Sequence, residues 1–181
     1  MQNSERETLT LLLRRPTSAD DVILRGLWRN EEVRYFLGGI VQEELIDEKI
    51  VSIQEHWDKY GFGQWAVFEK TSKVVIGICG LHHSEDGIEI SYMFFPAFWG
   101  KGRGRESVFA SLNYGFNVLK LDRIIAITQD ANSPSCRLLD SIGMKHIDNL
   151  WRFNAVQRLY VMTLNEWMNN VKKRAKIFQI R

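Results

Sequence analysis

The spacing of apolar positions changes along this chain, and each change predicts an element. Residues 9–13 form a short apolar run that reads as a strand. After Pro16, the pair Asp20 and Asp21 suits the first turn of a helix reaching about Arg29, because acids favour a helix's positive end. Gly38 and Gly39 interrupt the chain. Over residues 43–59, Leu45, Ile46, Ile50, Ile53 and Trp57 recur at helical spacing, with Trp57 on the apolar stripe. Strands follow at 64–68, 74–81 and 88–94. The turns between them, Lys70-Thr71-Ser72 and Glu85-Asp86-Gly87, predict an antiparallel meander.

Beyond Trp99 the period becomes helical again. Val108, Leu112, Phe116 and Leu119 make one stripe of a helix starting near Arg105. Residues 123–128 are rich in β-branched side chains and read as a strand. Ser133 and Pro134 predict an N-cap and first helical position, and Gly143 the helix end. Residues 144–147 and 157–163 read as two final strands. The order is strand, two helices, three strands, helix, strand, helix, two strands. That is a mixed α/β domain rather than a regular βαβ dinucleotide fold.

Composition narrows the class. The 181 residues suit one domain over 1–181, with a core at about 9–167 and a basic tail at about 171–181. Apolar residues at 45% and charged residues at 25% give an ordinary globular balance. A net charge of +2 gives no reason to expect a nucleic-acid or membrane partner. Cys79 and Cys136 are far apart and lack zinc-site spacing, so no metal is expected and both read as free thiols of a reducing compartment. The first ten residues are polar and mixed in charge, unlike a secretory signal, and no run is long enough to span a bilayer. The expectation is a cytoplasmic protein, with a homodimer left open.

The chemistry concentrates in Phe95-Pro96-Ala97-Phe98-Trp99-Gly100-Lys101-Gly102-Arg103-Gly104-Arg105-Glu106. A strand ends, three alternating glycines turn the chain, and a helix starts. Glycine permits positive φ and close approach of a ligand to the main chain. The helix's first N–H groups lack internal partners and suit a phosphate, and Lys101, Arg103 and Arg105 add charge. A Cβ at Gly104 is expected to occupy the phosphate's approach. No Lys-Ser or Lys-Thr follows, which excludes a P-loop, and G-x-G-x-G after a meander departs from a dinucleotide fingerprint. A coenzyme A pyrophosphate loop and a plain solvated turn remain.

Residues 96–104, preceded by Ile88-Glu89-Ile90-Ser91-Tyr92, resemble motif A of the GNAT acetyltransferases, [QR]-x-x-G-x-[GA], with Gly102 and Gly104 on its small positions. Trp99 replaces the usual Gln or Arg, as in the ribosomal-protein acetyltransferase (RimJ/RimL-like) branch. Asn132-Ser133-Pro134-Ser135-Cys136-Arg137-Leu138-Leu139 and then Gly143-Met144 resemble that branch's N-x-x-S-x-x-L-L ending in Gly-Phe. The resemblance covers about residues 9–167. It implies a mostly antiparallel mixed sheet of about seven strands, flanked by about four helices, with a splayed strand pair forming the acyl-CoA cleft.

The same resemblance implies an acetyl-CoA-dependent N-acetyltransferase acting on a primary amine, a protein N-terminus or a small molecule, by direct attack on the thioester. Cofactor contacts fall on Trp99, Gly100, Lys101, Gly102, Arg103, Gly104, Arg105 and Asn132. Tyr92, Met93 and Phe94 line the pantetheine arm, with a main-chain N–H near Met93 or Phe94 as oxyanion donor. Glu89, the one acid of its strand, takes the place of the base, and Ser135 that of the acid. The tyrosine many members carry one turn later is Leu139 here. Plain core packing for Tyr92 and Phe94 and helix capping for Asn132 and Ser135 stand beside these roles. His82 and His83, adjacent on a strand, face opposite ways and cannot share one site. A silent acyl-CoA-binding domain and an RNA-binding module using the cations are the alternatives. Acceptor-facing segments are expected at 28–48 and 150–157.

Overall fold

The longest apolar run of the meander becomes the middle of a sheet. In the computed structural model, which describes residues 5–179, the strands are β1 (Arg6–Glu7), β2 (Leu11–Arg14), β3 (Gln64–Glu69), β4 (Val74–Ser84), β5 (Gly87–Phe94), β6 (Arg123–Gln129), β7 (Lys145–Arg152) and β8 (Ala155–Thr163). They form one sheet in the order β1-β2-β3-β4-β5-β6-β8-β7. All neighbours are antiparallel except β5 and β6.

Helices cover both faces, so the central strands are buried twice and read as continuous apolar runs. One face carries α1 (Asp21–Arg29), α2 (Glu31–Arg34) and α3 (Glu43–Tyr60), packed through Leu24, Leu27, Trp28, Val33, Ile46 and Ile50 against Ala66, Val75 and Ile78. The other carries α4 (Arg103–Asn117), α5 (Ser133–Ile142) and α6 (Leu164–Gln179). There Val108, Leu112, Phe116, Leu139 and Trp167 join Trp65, Leu81, Ile90 and Tyr160 in a second core cluster. Trp57, on the expected stripe of α3, is buried, and its Nε1 donates to the Gln64 carbonyl at 2.9 Å.

The expected meander of three strands is present, and the mixed α/β class holds. Among the described residues, eight strands and six α-helices exceed the expected seven and four. The additions are β1, two residues paired with Leu12 and Leu13; α2, a single turn; and α6. In α2 the Asn30 side chain accepts the Val33 N–H at 2.9 Å, which is a cap rather than a periodicity signal. Helix α6 follows β8 without a breaker. Thr163 Oγ1 accepts the Glu166 N–H, and Glu166 Oε2 accepts the Thr163 N–H, a reciprocal cap legible as Thr163-Leu164-Asn165-Glu166. The expected basic tail therefore begins inside this helix; its side chains from 173 onward lie outside the described residues. The cap of α5 is Asn132, one residue earlier than expected, which puts Ser133 and Pro134 at the first two helical positions.

One register pair, Glu89 with Ile125, joins β5 to β6. Past it, β5 pairs with β4 alone as far as Phe94, and β6 with β8 alone as far as Gln129. Two parallel strands thus separate toward their carboxyl ends, where open α/β sheets hold their ligands.

Candidate active site

The parting strands open a cleft of about 920 Å³ that reaches both faces of the sheet. Ile90, Ser91, Tyr92, Met93 and Phe94 form one wall, and Ala126, Ile127 and Thr128 the other. The N-terminal turns of α4 and α5 close it on one side; Glu31, Glu32, Tyr35, Phe36 and Leu37 close it on the other. Charge divides accordingly. The lining cations are Arg103, Arg105 and Arg137, all on α4 and α5, while Glu31 and Glu32 stand on α2.

The start of α4 leaves main-chain donors without partners. Gly100 and Gly102 have φ of 70° and 78°, and a Cβ at either would stand in open space. Gly102 is the N-cap, no side chain caps the helix, and the first internal bond runs from Glu106 N–H to the Gly102 carbonyl at 3.0 Å. The N–H groups of residues 103–105 are therefore free for a ligand. Glu106 could oppose an anion there, but Thr10 takes its carboxylate through N–H and Oγ1 at 2.8 and 2.6 Å.

The cations around the loop have different fates. Arg103 is tied to Glu69 Oε1 at 2.7 Å and to Thr10 Oγ1 at 3.0 Å, so its guanidinium braces α4 against β2 and β3. Lys101 is exposed, donates to the Ala97 carbonyl at 2.8 Å, and is not part of the cleft lining. Arg105 lines the cleft and is exposed. So is Arg137, one turn into α5, which sequence reasoning passed over although it sits inside the second motif. Trp99 Nε1 donates to the Phe94 carbonyl at 2.7 Å and leaves its ring half exposed at the cleft. A Cβ at Gly104 would meet Leu138 Cδ1 at 3.1 Å. This glycine lines the cleft and also lies close to α5, so a side chain there meets Leu138 as well as the expected phosphate path.

Glu89 sits where the strands part. Its register partner on β4 is His82, so both side chains lie on one face, and Ser91 follows two residues on. Loss of water pushes the Glu89 carboxyl up to about 7. The Ser84 hydroxyl, Arg152 and the Ile127 amide oppose that rise, and Asp86 adds to it. Burial drives His82 down to about 4, so its ring is neutral. Ser91 Oγ lies 3.4 Å from His82 Nδ1 and also receives Gln64 Nε2. His83 turns away, as adjacency on a strand requires: its N–H donates to His56 Nε2 at 3.1 Å, with His56 Nδ1 on the Phe62 carbonyl at 2.8 Å.

Across the cleft, the Tyr92 hydroxyl meets Ser135 Oγ at 2.7 Å. The Asn132 carboxamide oxygen accepts the Ser135 N–H at 3.2 Å, so Asn132 caps α5 while also lining the cleft. Leu139 is fully buried. Met93 packs toward the α1–α3 face and Phe94 into the opposite cluster. Of the segments expected to face the acceptor, residues 31–33 and 35–37 line the cleft; among the described residues none of 150–157 does.

Residues 10–145 match the family model described as acetyltransferase (GNAT) domain. Over 147 residues the chain is 32% identical to the uncharacterized N-acetyltransferase YoaA of Bacillus subtilis, covering 77% of this chain and 81% of that one. It is 28% identical over 146 residues to the uncharacterized protein YkkB of the same organism, covering 78% and 85%. Its fold is similar to a GNAT-family acetyltransferase from Bacillus anthracis, with TM-score 0.75, 24% identity, and 90% and 99% of the two chains covered. It is also similar to spermidine N-acetyltransferase from Vibrio cholerae, solved in complex with CoA and spermine, with TM-score 0.77, 19% identity, and 89% and 99% covered.

Proposed function

The chain belongs to the GNAT acetyltransferase family and is an acetyl-CoA-dependent acyltransferase; from that and the geometry above, we propose that it acetylates a primary amine by direct attack on the thioester, with Glu89 as base. The observation that carries this reading is the position of Glu89: a half-buried carboxyl at the apex of the cleft, raised to about 7 by loss of water. Such a group is a poor structural ion but a well-matched acceptor for an ammonium proton at neutral pH.

The other roles follow from the two ends of the cleft. The free N–H groups at the start of α4, with Arg105 and Arg137, hold the cofactor's phosphates. The edge of β5 left bare past Glu89 pairs with the pantetheine amides, and Tyr92 and Phe94 flank them. Ser135 donates its O–H to the departing sulfur, since Leu139 offers no hydroxyl. The Asn132 to Leu139 motif supports placement in the RimJ/RimL-like branch. On the α2 side, Glu31 and Glu32 beside Tyr35 and Phe36 favour a cationic acceptor, a small amine or a protein N-terminus.

The test is thiol release from acetyl-CoA over a panel of polyamines, amino-acid amides and peptide N-termini, run with the native chain and Glu89→Gln. At least one amine should be turned over, and the variant should lose about 10² to 10⁴ in kcat with little change in acetyl-CoA KM. Tight acetyl-CoA binding with no turnover on any amine would favour a silent acyl-CoA binder. Equal rates for the two proteins across pH 6 to 9 would remove Glu89 from the mechanism.

A further inference from the structure

Leu139 leaves α5 without a hydroxyl one turn past Ser135, but the opposite wall of the cleft supplies one. Tyr92 projects from β5 toward α5, and its oxygen lies 2.7 Å from Ser135 Oγ, within a cleft that both residues line. A phenol is a far stronger acid than an aliphatic alcohol, so in this pair Tyr92 donates and Ser135 accepts. The serine is held from below as well: its N–H is on the Asn132 carboxamide oxygen at 3.2 Å. Apart from the phenol oxygen itself, no acceptor for the Ser135 O–H is found among the described residues. With one lone pair pinned by the phenol, the hydroxyl rotor retains only directions away from Tyr92, toward open space.

We infer that Tyr92 is a positioning residue for acetyl transfer: its O–H donates to Ser135 Oγ and fixes the serine O–H toward the departing sulfur. The inference rests on the Ser135 role proposed above. Burial pushes the Tyr92 phenol well above its ordinary range, so it keeps its proton at every working pH and serves as a constant donor. No proton leaves Tyr92; any proton that Ser135 passes to the sulfur is replaced from solvent in the open cleft. Donation to Ser135 Oγ also polarises the serine O–H, which strengthens its hydrogen bond to developing negative charge on sulfur.

A double-mutant cycle tests this, using acetyl-CoA and any amine that the panel finds. Tyr92→Phe removes one oxygen and should lower kcat about tenfold, the scale of one hydrogen bond, with acetyl-CoA KM within about twofold of the native value. Ser135→Ala should be slower still. The double variant should be no slower than Ser135→Ala alone, because the phenol acts through the serine. Ser135→Thr, which keeps the hydroxyl, should retain most of the rate in the native background and lose it in the Tyr92→Phe background. Thermal unfolding of each variant separates loss of fold from loss of rate. Full activity in Ser135→Ala would overturn the Ser135 role and this inference with it. A slow Ser135→Ala beside a fully active Tyr92→Phe would overturn the inference alone. So would additive losses, or a Tyr92→Phe defect confined to KM.

Discussion

Glu89 and Ile125 form the register pair that joins β5 to β6, and the cleft begins at that pair. Because the strands are parallel and diverge beyond it, the pair fixes two things together. The β5 edge past Glu89 is left without a partner strand, and the Glu89 carboxyl is drawn into the fork, where water is scarce. One topological event thus yields both the bare strand edge that we assign to the cofactor's amide arm and the raised proton affinity of Glu89.

The same burial gives a stability signature independent of turnover. Glu89 has an ordinary value of 4.5 and a folded value of about 7. Below 4.5 it is protonated in both states and costs nothing. As pH rises through 4.5 the unfolded chain releases the proton while the folded one retains it, so stability falls until about pH 7 and then levels. The loss should reach about 3 kcal/mol at most. Glu89→Gln should therefore gain on the native chain in urea unfolding between pH 4.5 and 8, with the two close to equal at the acid end. Taking the difference removes Glu166, which Lys145 and Thr163 hold at about 2 and which moves stability the opposite way below pH 4.5. A difference that does not change with pH would mean Glu89 is hydrated in the folded protein.

Arg105 and Arg137 should carry cofactor charge where Arg103 does not. Both face the cleft, while Arg103 is spent on Glu69. Arg105→Ala and Arg137→Ala should each raise acetyl-CoA KM about tenfold, as expected for a charge-assisted hydrogen bond, and flatten its salt dependence, with kcat steady. Arg103→Ala should show itself first as a lower melting temperature. If the ranking were reversed, the phosphates would lie on the Glu69 side of the helix.

The strands from 64 to 94 were legible because apolar runs broken by polar turns declare a meander locally, and Glu89 because it is an acid among apolar neighbours. The turn from β5 into α4 was legible in its alternating glycines, two of which take positive φ. What escaped depends on partners distant in sequence. Nothing near Arg103 announces Glu69, 34 residues away, and nothing near Tyr92 announces Ser135, 43 residues on. Helix α6 had its Thr163 and Glu166 cap in plain view, but Leu164, Trp167 and Val171 make too sparse a stripe to outweigh the polar residues between them. Helix α2 is one turn long and has no period to read.

The glycines of the loop should separate by function. Gly102 is left-handed and open, so Gly102→Val adds backbone strain of about 1–2 kcal/mol and places a branched side chain beside the free N–H groups. It should raise acetyl-CoA KM strongly. Gly104→Val instead presses Cβ onto the end of the Leu138 side chain, which must give way, and should lower the melting temperature as well as weaken the cofactor. Calorimetric titration with CoA alongside thermal unfolding distinguishes them. Equal CoA affinity in a folded Gly102→Val variant would mean the loop is only a turn.

Arg152 offers a way to move the base without touching it. Its guanidinium grips Asp86 through two bonds of 2.6 and 3.0 Å, one residue from the start of β5, and it also draws the Glu89 carboxyl down. Asp86 acts on Glu89 in the opposite sense. Arg152→Gln removes the cation and leaves Asp86, which Arg152 had held well ionised, as an uncompensated negative neighbour. Both changes favour the protonated form of Glu89. The acid limb of the pH–rate profile, where turnover rises as the base loses its proton, should therefore move to higher pH, while the rate at alkaline pH stays near native. Arg152→Lys, which keeps a charge but not the paired grip, should shift the limb less. These side chains are only half-buried at the surface, so added salt should shrink the shift. A limb that moves down, or stays fixed while Glu89→Gln abolishes it, would show that Asp86 and Arg152 are coupled to each other but not to the base.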